Sequence, residues 1–289
     1  MDISSYVKLM RPHQYIKNLF IFLPLFFALK INNIELLTNA FIAFIAFSLV
    51  ASSIYILNDY FDIEEDKKHP KKKFRPLASG VITKKKAFLL IFIFFTIGTL
   101  LMWLLSVKAL FVLLLYVILN IAYSIYLKQI AIVDITIIAI GFVLRLFIGS
   151  IVTNINLSLW IIIMTYLLAL FMALAKRRDD VLIYENTGHK MRKVIDGYNA
   201  QFLDVSMSIM ASVIIVTYII YTTSKTVKEH FNTQYLYLTA LFVILGILRY
   251  LQITFVEQNS GSPTKIVLKD RFLQITLLGW IITFIWILY

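Results

Sequence analysis

The chain contains nine long runs of apolar residues, and these runs limit its fold more strongly than any other feature. Each is close to the roughly 17 to 25 residues that an α-helix needs to cross about 30 Å of hydrocarbon. Of the 289 residues, 60% are apolar and only 15% are charged, so we expect lipid around most of the surface. The nine candidate spans are residues 15–30, 36–57, 87–106, 109–127, 131–152, 157–175, 201–222, 234–254 and 272–289.

These runs predict the fold class. A segment inside the bilayer must satisfy its backbone hydrogen bonds internally, which favours helices over irregular chain. No long polar segment follows the runs, so no soluble domain is expected. We predict an all-α polytopic membrane protein, a single domain over residues 1–289 that forms one bundle of about nine transmembrane helices. The absence of cysteine excludes disulfides, thiolate catalysis and cysteine metal ligands.

Positive charge is distributed unevenly between alternate loops. If the N terminus is cytoplasmic, 22 of the 28 Lys and Arg residues lie in the N-terminal segment up to Lys17 or in cytoplasmic loops, as the positive-inside rule requires. We therefore predict a multi-pass protein of a prokaryotic cell membrane, with its N terminus and its active site on the cytoplasmic side. Topology and anionic lipid head groups account for the net charge of +12, so nucleic acid is not an expected partner. The predicted cytoplasmic loops are 58–86, 128–130, 176–200 and 255–271.

The densest group of charges is the stretch NDYFDIEEDKKHPKKKFRPLASG at residues 58–80. If the second span continues as a helix, Asp59, Asp62 and Asp66 recur at spacings of three and four and share one face, with Asn58 beside them. Oxygen ligands at this density suit Mg²⁺, which is usually completed by waters and substrate phosphates. The pattern predicts a catalytic metal-diphosphate site in which these four residues hold Mg²⁺. The alternative is a solvated helix end whose acids pair with neighbouring lysines.

Basic residues follow the acids and others lie inside a span. Lys72 and Arg75 stand between two prolines, where they could bind phosphate or merely anchor the loop. Asp134 and Arg145, in the fifth run, are eleven residues apart and so share a helix face. Ionisable groups at membrane depth are costly unless paired or wet, so both are functional candidates, with an interhelical ion pair as the alternative.

Further candidates lie at the predicted cytoplasmic ends of the spans. Each could equally be an ordinary boundary anchor, and only their meeting with the acids would give them a role in the site. They are Lys17, Tyr126, Lys128, Lys176 and Arg177.

Four stretches together resemble one known family. They are RPHQYIKN at 11–18, the acidic stretch at 58–80, YSIYLKQIAIVDITIIAIGFVLRLFIG at 123–149, and ALAKRRDD at 173–180. The chain resembles the UbiA-type intramembrane prenyltransferase superfamily, and more closely its decaprenyl-phosphate phosphoribosyltransferase branch. The segment KRRDD stands where members that alkylate aromatic rings carry a second aspartate-rich motif for a second Mg²⁺.

The resemblance implies an Mg²⁺-dependent transfer of 5-phosphoribose from phosphoribosyl diphosphate to a membrane polyprenyl phosphate, in cell-envelope biosynthesis. It implies that several cations serve the phosphates of the two substrates. Those for the leaving diphosphate are Lys72, Arg75 and Lys128. Those for the acceptor phosphate or the 5-phosphate are Lys17, Arg145, Lys176 and Arg177.

Other functions stay open at this point. A UbiA-type prenyltransferase acting on an aromatic or glycerophosphate acceptor would need Asp179 or Asp180, with Glu185, to build a second metal site. A cation or phosphate transporter would need a polar lining through the outer halves of the spans, which are almost purely apolar. A scaffold would leave Asp134 and Arg145 unexplained. A homo-oligomer is compatible with the sequence.

Overall fold

The computed structural model describes residues 3–68, 72–188, 193–258, 261 and 263–288. These residues form helices and loops, with no β-strand among them, which confirms the predicted all-α fold. The α-helices, numbered α1 to α13 in chain order, are Ile3–Met10, Leu23–Phe27, Ile34–Phe61, Ile63–Lys68, Lys84–Leu105, Val107–Ile125, Val133–Thr153, Leu159–Thr187, Ala200–Thr223, Lys225–Phe231, Ala240–Phe255, Pro263–Lys269 and Arg271–Leu288. Short 3₁₀ helices cover Pro12–Phe22, Lys72–Phe74, Leu127–Gln129, Lys193–Gly197 and Leu236–Thr239.

Eight helical segments in the described part of the chain are long and apolar enough to cross a membrane. They are α3, α5 to α9, α11 with the 3₁₀ turn before it, and α13. Each corresponds to one of the predicted spans, and most boundaries agree within a few residues. The clear difference is α8, which continues to Thr187 although its apolar run ends at residue 175. The protein is therefore a multi-pass membrane protein.

The first predicted span, residues 15–30, is not one α-helix. Residues Pro12–Phe22 form a 3₁₀ helix, α2 follows it, and the chain leaves helical geometry at Leu29, whose φ is 56°. A 3₁₀ helix rises about 2.0 Å per residue and an α-helix about 1.5 Å, so the two pieces together have a rise of about 30 Å. The predicted count of nine transmembrane helices stays a prediction.

Polar side chains begin four of the long helices. Asn33, Thr83, Ser158 and Asn199 each accept a hydrogen bond from the backbone N–H three residues further on, at the first turns of α3, α5, α8 and α9. Such caps satisfy donors that the helix itself leaves without a partner. At the other end of α8, Gly188 takes a left-handed conformation with φ 65°, which terminates that helix.

The chain divides into two compact units. Unit one holds residues 1–125 and 141–157, and unit two holds residues 126–140 and 158–289, so α7 contributes to both. In unit one α5 packs closely on α3 at Gly98. A Cβ atom there would lie 2.6 Å from the Ala46 carbonyl oxygen, so the missing side chain permits the close approach. In unit two, Phe171 of α8 and Leu203 of α9 belong to the buried core. The single-domain organisation stays a prediction.

Candidate active site

The acidic stretch does not continue α3 as one helix. The helix ends at Phe61, Asp62 follows with φ −91° and ψ 5°, and the separate helix α4 begins at Ile63. Backbone hydrogen bonds four residues apart are nevertheless kept on both sides of Asp62, to Asn58 (3.0 Å) and from Asp66 (2.8 Å). The expectation of a continuous helix is corrected, because the chain bends there with little loss of hydrogen bonding.

Asp59 and Asp66 are brought together by one arginine. Arg75 Nη1 donates to Asp59 Oδ1 at 3.0 Å and to Asp66 Oδ2 at 2.7 Å. Both aspartates are buried, and Arg75 comes from the proline-bounded loop that follows them. Two carboxylate oxygens from different helices therefore converge on one cationic nitrogen.

A second arginine binds the same carboxylate from the N-terminal segment. Arg11 Nη2 donates to Asp59 Oδ1 at 2.5 Å, and its guanidinium lies 5.6 Å from the centre of the Tyr55 ring. Arg11 has φ 56° and directly precedes the 3₁₀ helix, a conformation that is rare for a residue with a side chain. Asp59 is thus neutralised from two directions.

The alternative pairing of the acids with neighbouring lysines is seen at the surface of α4. Lys67 Nζ binds Glu64 Oε1 at 2.8 Å, and both side chains are largely exposed. Asp59 and Asp66, in contrast, are bound by Arg75 of the following loop, and Asp59 also by Arg11 of the N-terminal segment. The sequence stretch therefore contains an ordinary solvated ion pair beside a buried, arginine-held group.

The structure places the remaining unit-one candidates as follows. Asp62 and Lys17 are half-buried, and the Asn58 side-chain oxygen accepts a hydrogen bond from the Ser124 hydroxyl at 2.5 Å. Lys72 begins the 3₁₀ turn after the acids, but its side chain lies outside the described residues. Within the described chain, no three His, Cys, Asp or Glu side chains come close enough to hold a metal ion by themselves.

Arg145 is buried among neutral partners. Its Nε donates to Asn18 Oδ1 at 2.9 Å, and its Nη1 and Nη2 donate to the Gly141 carbonyl and the Tyr116 hydroxyl. The guanidinium also lies 4.7 Å from the centre of the Phe47 ring. Hydrogen bonds and aromatic faces replace water around this cation, so it connects α3, α6 and α7 of unit one with the first 3₁₀ helix.

Asp134 lies in unit two and forms a buried network there. Arg177 Nε donates to Asp134 Oδ2 at 2.5 Å and Nη1 to Asp180 Oδ2 at 2.5 Å; Asp134 and Arg177 are at most 1% exposed. The Tyr198 hydroxyl donates to Asp134 Oδ1 at 2.7 Å and accepts from the Ile132 N–H at 2.7 Å. Burial, together with the hydrogen bond to Asp134, raises the pKa of the Tyr198 hydroxyl, which therefore stays protonated and donates.

These contacts match the interhelical ion-pair alternative for Asp134. Its carboxylate, on α7, is bound by Arg177, on α8, and the charge of Arg177 is further offset by Asp180. Because Arg177 is only 1% exposed and is balanced by two carboxylates, it has neither exposed surface nor much net charge to offer a phosphate.

Of the other unit-two candidates, Tyr126 and Lys128 lie at a helix end, whereas Lys176 lies within α8. Tyr126 is exposed and directly precedes the 3₁₀ turn that contains Lys128, which is half-buried. Lys176 is half-buried on α8, next to Arg177. Arg178 is bound by Asp204 at 2.5 Å and donates to the Thr254 carbonyl at 2.8 Å.

Several site neighbours were not selected from the sequence. Arg11 could have been, because it begins the stretch RPHQYIKN. Asn18 and Ser124 also lie in stretches that resemble the family, at 11–18 and 123–149, but only long-range contacts place Asn18 at Arg145 and Ser124 at Asn58. Nothing in the sequence marks Tyr116, at Arg145, or Tyr198, at Asp134.

Comparisons with known proteins agree on one family. A family model described as the UbiA prenyltransferase family matches residues 18–287. The chain is 32% identical to a decaprenyl-phosphate phosphoribosyltransferase of Mycolicibacterium smegmatis, over 96% of this chain and 91% of that protein. It is 29% identical to the protein of the same description from Corynebacterium glutamicum, over 98% and 86%. A solved UbiA homologue from Archaeoglobus fulgidus, bound to DMAPP and Mg²⁺, superposes with a TM-score of 0.72 over 98% of this chain and 99% of that one, at 18% identity.

Proposed function

This chain belongs to the UbiA prenyltransferase family, and we propose that it is a polyprenyl-phosphate phosphoribosyltransferase. It transfers 5-phosphoribose from phosphoribosyl diphosphate to the phosphate of a polyprenol and releases diphosphate. The observation that carries this proposal is the nearly full-length similarity to two decaprenyl-phosphate phosphoribosyltransferases.

The proposed reaction exchanges one bond at C1 of the ribose. The bond from C1 to the diphosphate oxygen breaks with its electron pair going to diphosphate, and a phosphate oxygen of the lipid forms the new bond to C1. The acceptor phosphate is already an anionic nucleophile, so no general base is needed. The protein's main task is to stabilise the negative charge that develops on the leaving diphosphate.

The acidic stretch fits a magnesium site by its chemistry. Asn58, Asp59, Asp62 and Asp66 are the residues that we propose hold Mg²⁺, and oxygen donors of this kind are what Mg²⁺ prefers. The convergence of Asp59 and Asp66 on one nitrogen of Arg75 supports this, because it brings two of these carboxylates to a single cation. When bound, Mg²⁺ would neutralise part of the diphosphate charge.

The cations then have separate proposed tasks. Arg75 reaches the aspartates from a loop and is half-buried, so it can contact a diphosphate bound beside them. We propose the same role for Lys72 and Lys128, phosphate binding for Lys17 and Lys176, and substrate binding for Tyr126. Arg145 binds neutral groups, so a phosphate would supply the counter-charge that its protein partners do not.

We assign Asp134 and Arg177 a supporting role rather than the substrate contact that the sequence predicted. Their charges are satisfied within unit two by each other and by Asp180. The same contact weakens the prenyltransferase alternative, because Asp180 would have to leave Arg177 to join a second metal site.

The test is a transfer assay with purified protein in detergent. Radiolabelled phosphoribosyl diphosphate, Mg²⁺ and a polyprenyl phosphate should yield labelled lipid in the organic phase. Label that stays in the aqueous phase, with turnover of a prenyl diphosphate onto an aromatic acid instead, would overturn the proposal.

A substitution in the acidic stretch makes the test specific. We expect Asp62→Asn to abolish transfer in a protein that still folds, because it removes one of the proposed ligands without changing its shape. Glu65→Gln, at an exposed acid of the same stretch, is the matched control and should keep full activity. Full activity of Asp62→Asn would reduce the acidic stretch to a helix end.

A further inference from the structure

A polar cavity lies in unit one, at the end of α5 that is remote from the acidic stretch. α5 begins at Lys84, whose ammonium lies 5.6 Å from the centre of the Tyr60 ring beside the acidic stretch. The helix runs from there to Leu105, a rise of about 33 Å. At that far end, the turn between α5 and α6 and the residues that end and follow α7 line an open cavity of about 490 Å³. None of the proposed substrate-binding residues lines it.

The cavity carries unbalanced positive charge. Lys108 lines it and has no carboxylate within 4 Å in the described ranges of the chain. Lys108 also stands in the first turn of α6, where Ser106 accepts from the Ala109 N–H at 3.3 Å and further backbone N–H groups have no partner within the helix. A lysine and the positive end of a 19-residue helix therefore face the same space. No acidic residue lines the cavity, so the ligand that it favours is an anion.

The opposite wall is a tightly held turn. Ser150 Oγ donates to the Ile155 carbonyl at 2.6 Å, and the Ile155 N–H donates back to the Ser150 carbonyl at 3.1 Å. Asn154 adopts a left-handed conformation with φ 51° between them, and Asn156 follows. Both asparagine amides line the cavity and are exposed, so they can donate to an anion that Lys108 attracts.

Apolar surface surrounds this polar group. Leu105, Val107 and Ile151 also line the cavity, and the side chains of Trp103 and Leu104 on the adjoining turn of α5 are 53% and 69% exposed. A ligand that suits both parts has an anionic head and apolar chains. A free anion would use the polar part alone.

We propose that this cavity binds the phosphate group of an anionic phospholipid from the leaflet opposite the acidic stretch. The phosphate lies between Lys108, the start of α6 and the two asparagine amides, and the acyl chains lie along the exposed apolar faces of α5 and α6. The site explains a lysine that the predicted topology puts on the side of the membrane where few basic residues are found.

The test measures retained lipid on the full chain. Protein in nanodiscs of phosphatidylglycerol and phosphatidylcholine is transferred to detergent, and the phosphatidylglycerol that stays bound is counted by native mass spectrometry. We expect Lys108→Gln to weaken binding about tenfold, the size expected for one charge-assisted hydrogen bond. Lys225→Gln is the matched control, because Lys225 is also an exposed lysine in the first turn of a helix but does not line this cavity. It should retain lipid like the unmodified chain.

A second variant distinguishes lipid binding in the cavity from nonspecific electrostatic attraction of the lipid to Lys108. Val107→Trp narrows the cavity without changing its charge, so it should also reduce the amount of phosphatidylglycerol retained. If the attraction were nonspecific, this variant would retain as much lipid as the unmodified chain. Equal losses for Lys108→Gln and Lys225→Gln would overturn the proposal, as would no saturable binding of phosphatidylglycerol. Displacement of the lipid by millimolar inorganic phosphate would overturn the lipid assignment in favour of a free anion. Neither result bears on phosphoribosyl transfer, which is assayed separately.

Discussion

The buried pair of Asp134 and Arg177 provides the sharpest test of how unit two is held together. We consider the change Asp134→Asn, which keeps the shape of the side chain and removes its charge. In the native protein the two carboxylate oxygens accept from Arg177 Nε and from the Tyr198 hydroxyl. An asparagine has one acceptor oxygen, so it can keep one of these bonds and must turn an N–H₂ group toward the other donor.

The cost follows from burial. Asp134 is fully buried and Arg177 is 1% exposed, so the guanidinium cannot recover its lost partner from water. Removing one member of a buried ion pair typically costs about 3 to 5 kcal/mol. Arg177 keeps its bond to Asp180, whose side chain is 14% exposed, so we expect the lower end, about 3 kcal/mol.

The assay is equilibrium unfolding in mixed micelles with increasing SDS, followed by circular dichroism. Asp204→Asn is the matched control, because Asp204 also pairs with an α8 arginine but its side chain is 40% exposed. That change should cost about 1 kcal/mol or less, because Asp204 is the exposed member of the pair and Arg178, although buried, keeps its bond to the Thr254 carbonyl. Arg177→Met should also destabilise strongly, and the double variant with Asp134→Asn should lose less than the sum of the two single changes.

The opposite pattern would refute the structural assignment. If Asp134→Asn were no more destabilising than Asp204→Asn and instead abolished binding of phosphoribosyl diphosphate, Asp134 would be a substrate residue. That outcome would support the substrate-binding role that the sequence predicted for Asp134.

Three further predictions concern Arg75, Asp270 and the orientation of the chain in the membrane. Arg75→Gln should reduce transfer at least about a hundredfold, since it removes the cation on which two buried carboxylates converge. Lys67→Gln, at an exposed ion pair, should leave transfer unchanged in the same labelled-lipid assay. Hydrogen bonds from Arg249 of α11 hold the pKa of Asp270 below its usual range. Its contribution to stability is therefore present above about pH 4 and is lost as the pH falls through the lowered value, so the difference in melting temperature between the unmodified chain and Asp270→Asn should shrink at acid pH. In the cysteine-free chain, Ser79→Cys should react with an impermeant maleimide only from the cytoplasmic side and Asn156→Cys only from the other; reversed labelling would contradict the proposed orientation.

Helix positions were predictable from the sequence because they depend on a local property. A run of about 20 apolar residues can satisfy its backbone inside lipid only as a helix, wherever its neighbours lie. The end of α8 was not predictable in this way, because its extension to Thr187 is polar and includes two buried arginines. The 3₁₀ geometry of Pro12–Phe22 was missed for a related reason, since apolar content does not distinguish two helix types.

The candidate site shows the same division. The spacing of the acids drew attention to Asp59 and Asp66, but not to Arg11 and Arg75 as their partners. Arg145 and Asp134 share α7 and were both functional candidates, yet they bind separate groups in different units. A residue type and its spacing indicate what a side chain can do, whereas its partner is set by segments distant along the chain.

By itself, the sequence determined the all-helical class, the approximate position of the apolar helices and, by resemblance, the family. These depend on hydropathy and on short motifs, which are local. The tertiary structure alone decided that Arg75 holds two aspartates, that Arg177 satisfies Asp134, and that Lys108 faces a polar cavity without a carboxylate nearby in the described chain. A charge in a membrane protein is stable only where its partners are, and those partners meet only when the helices pack.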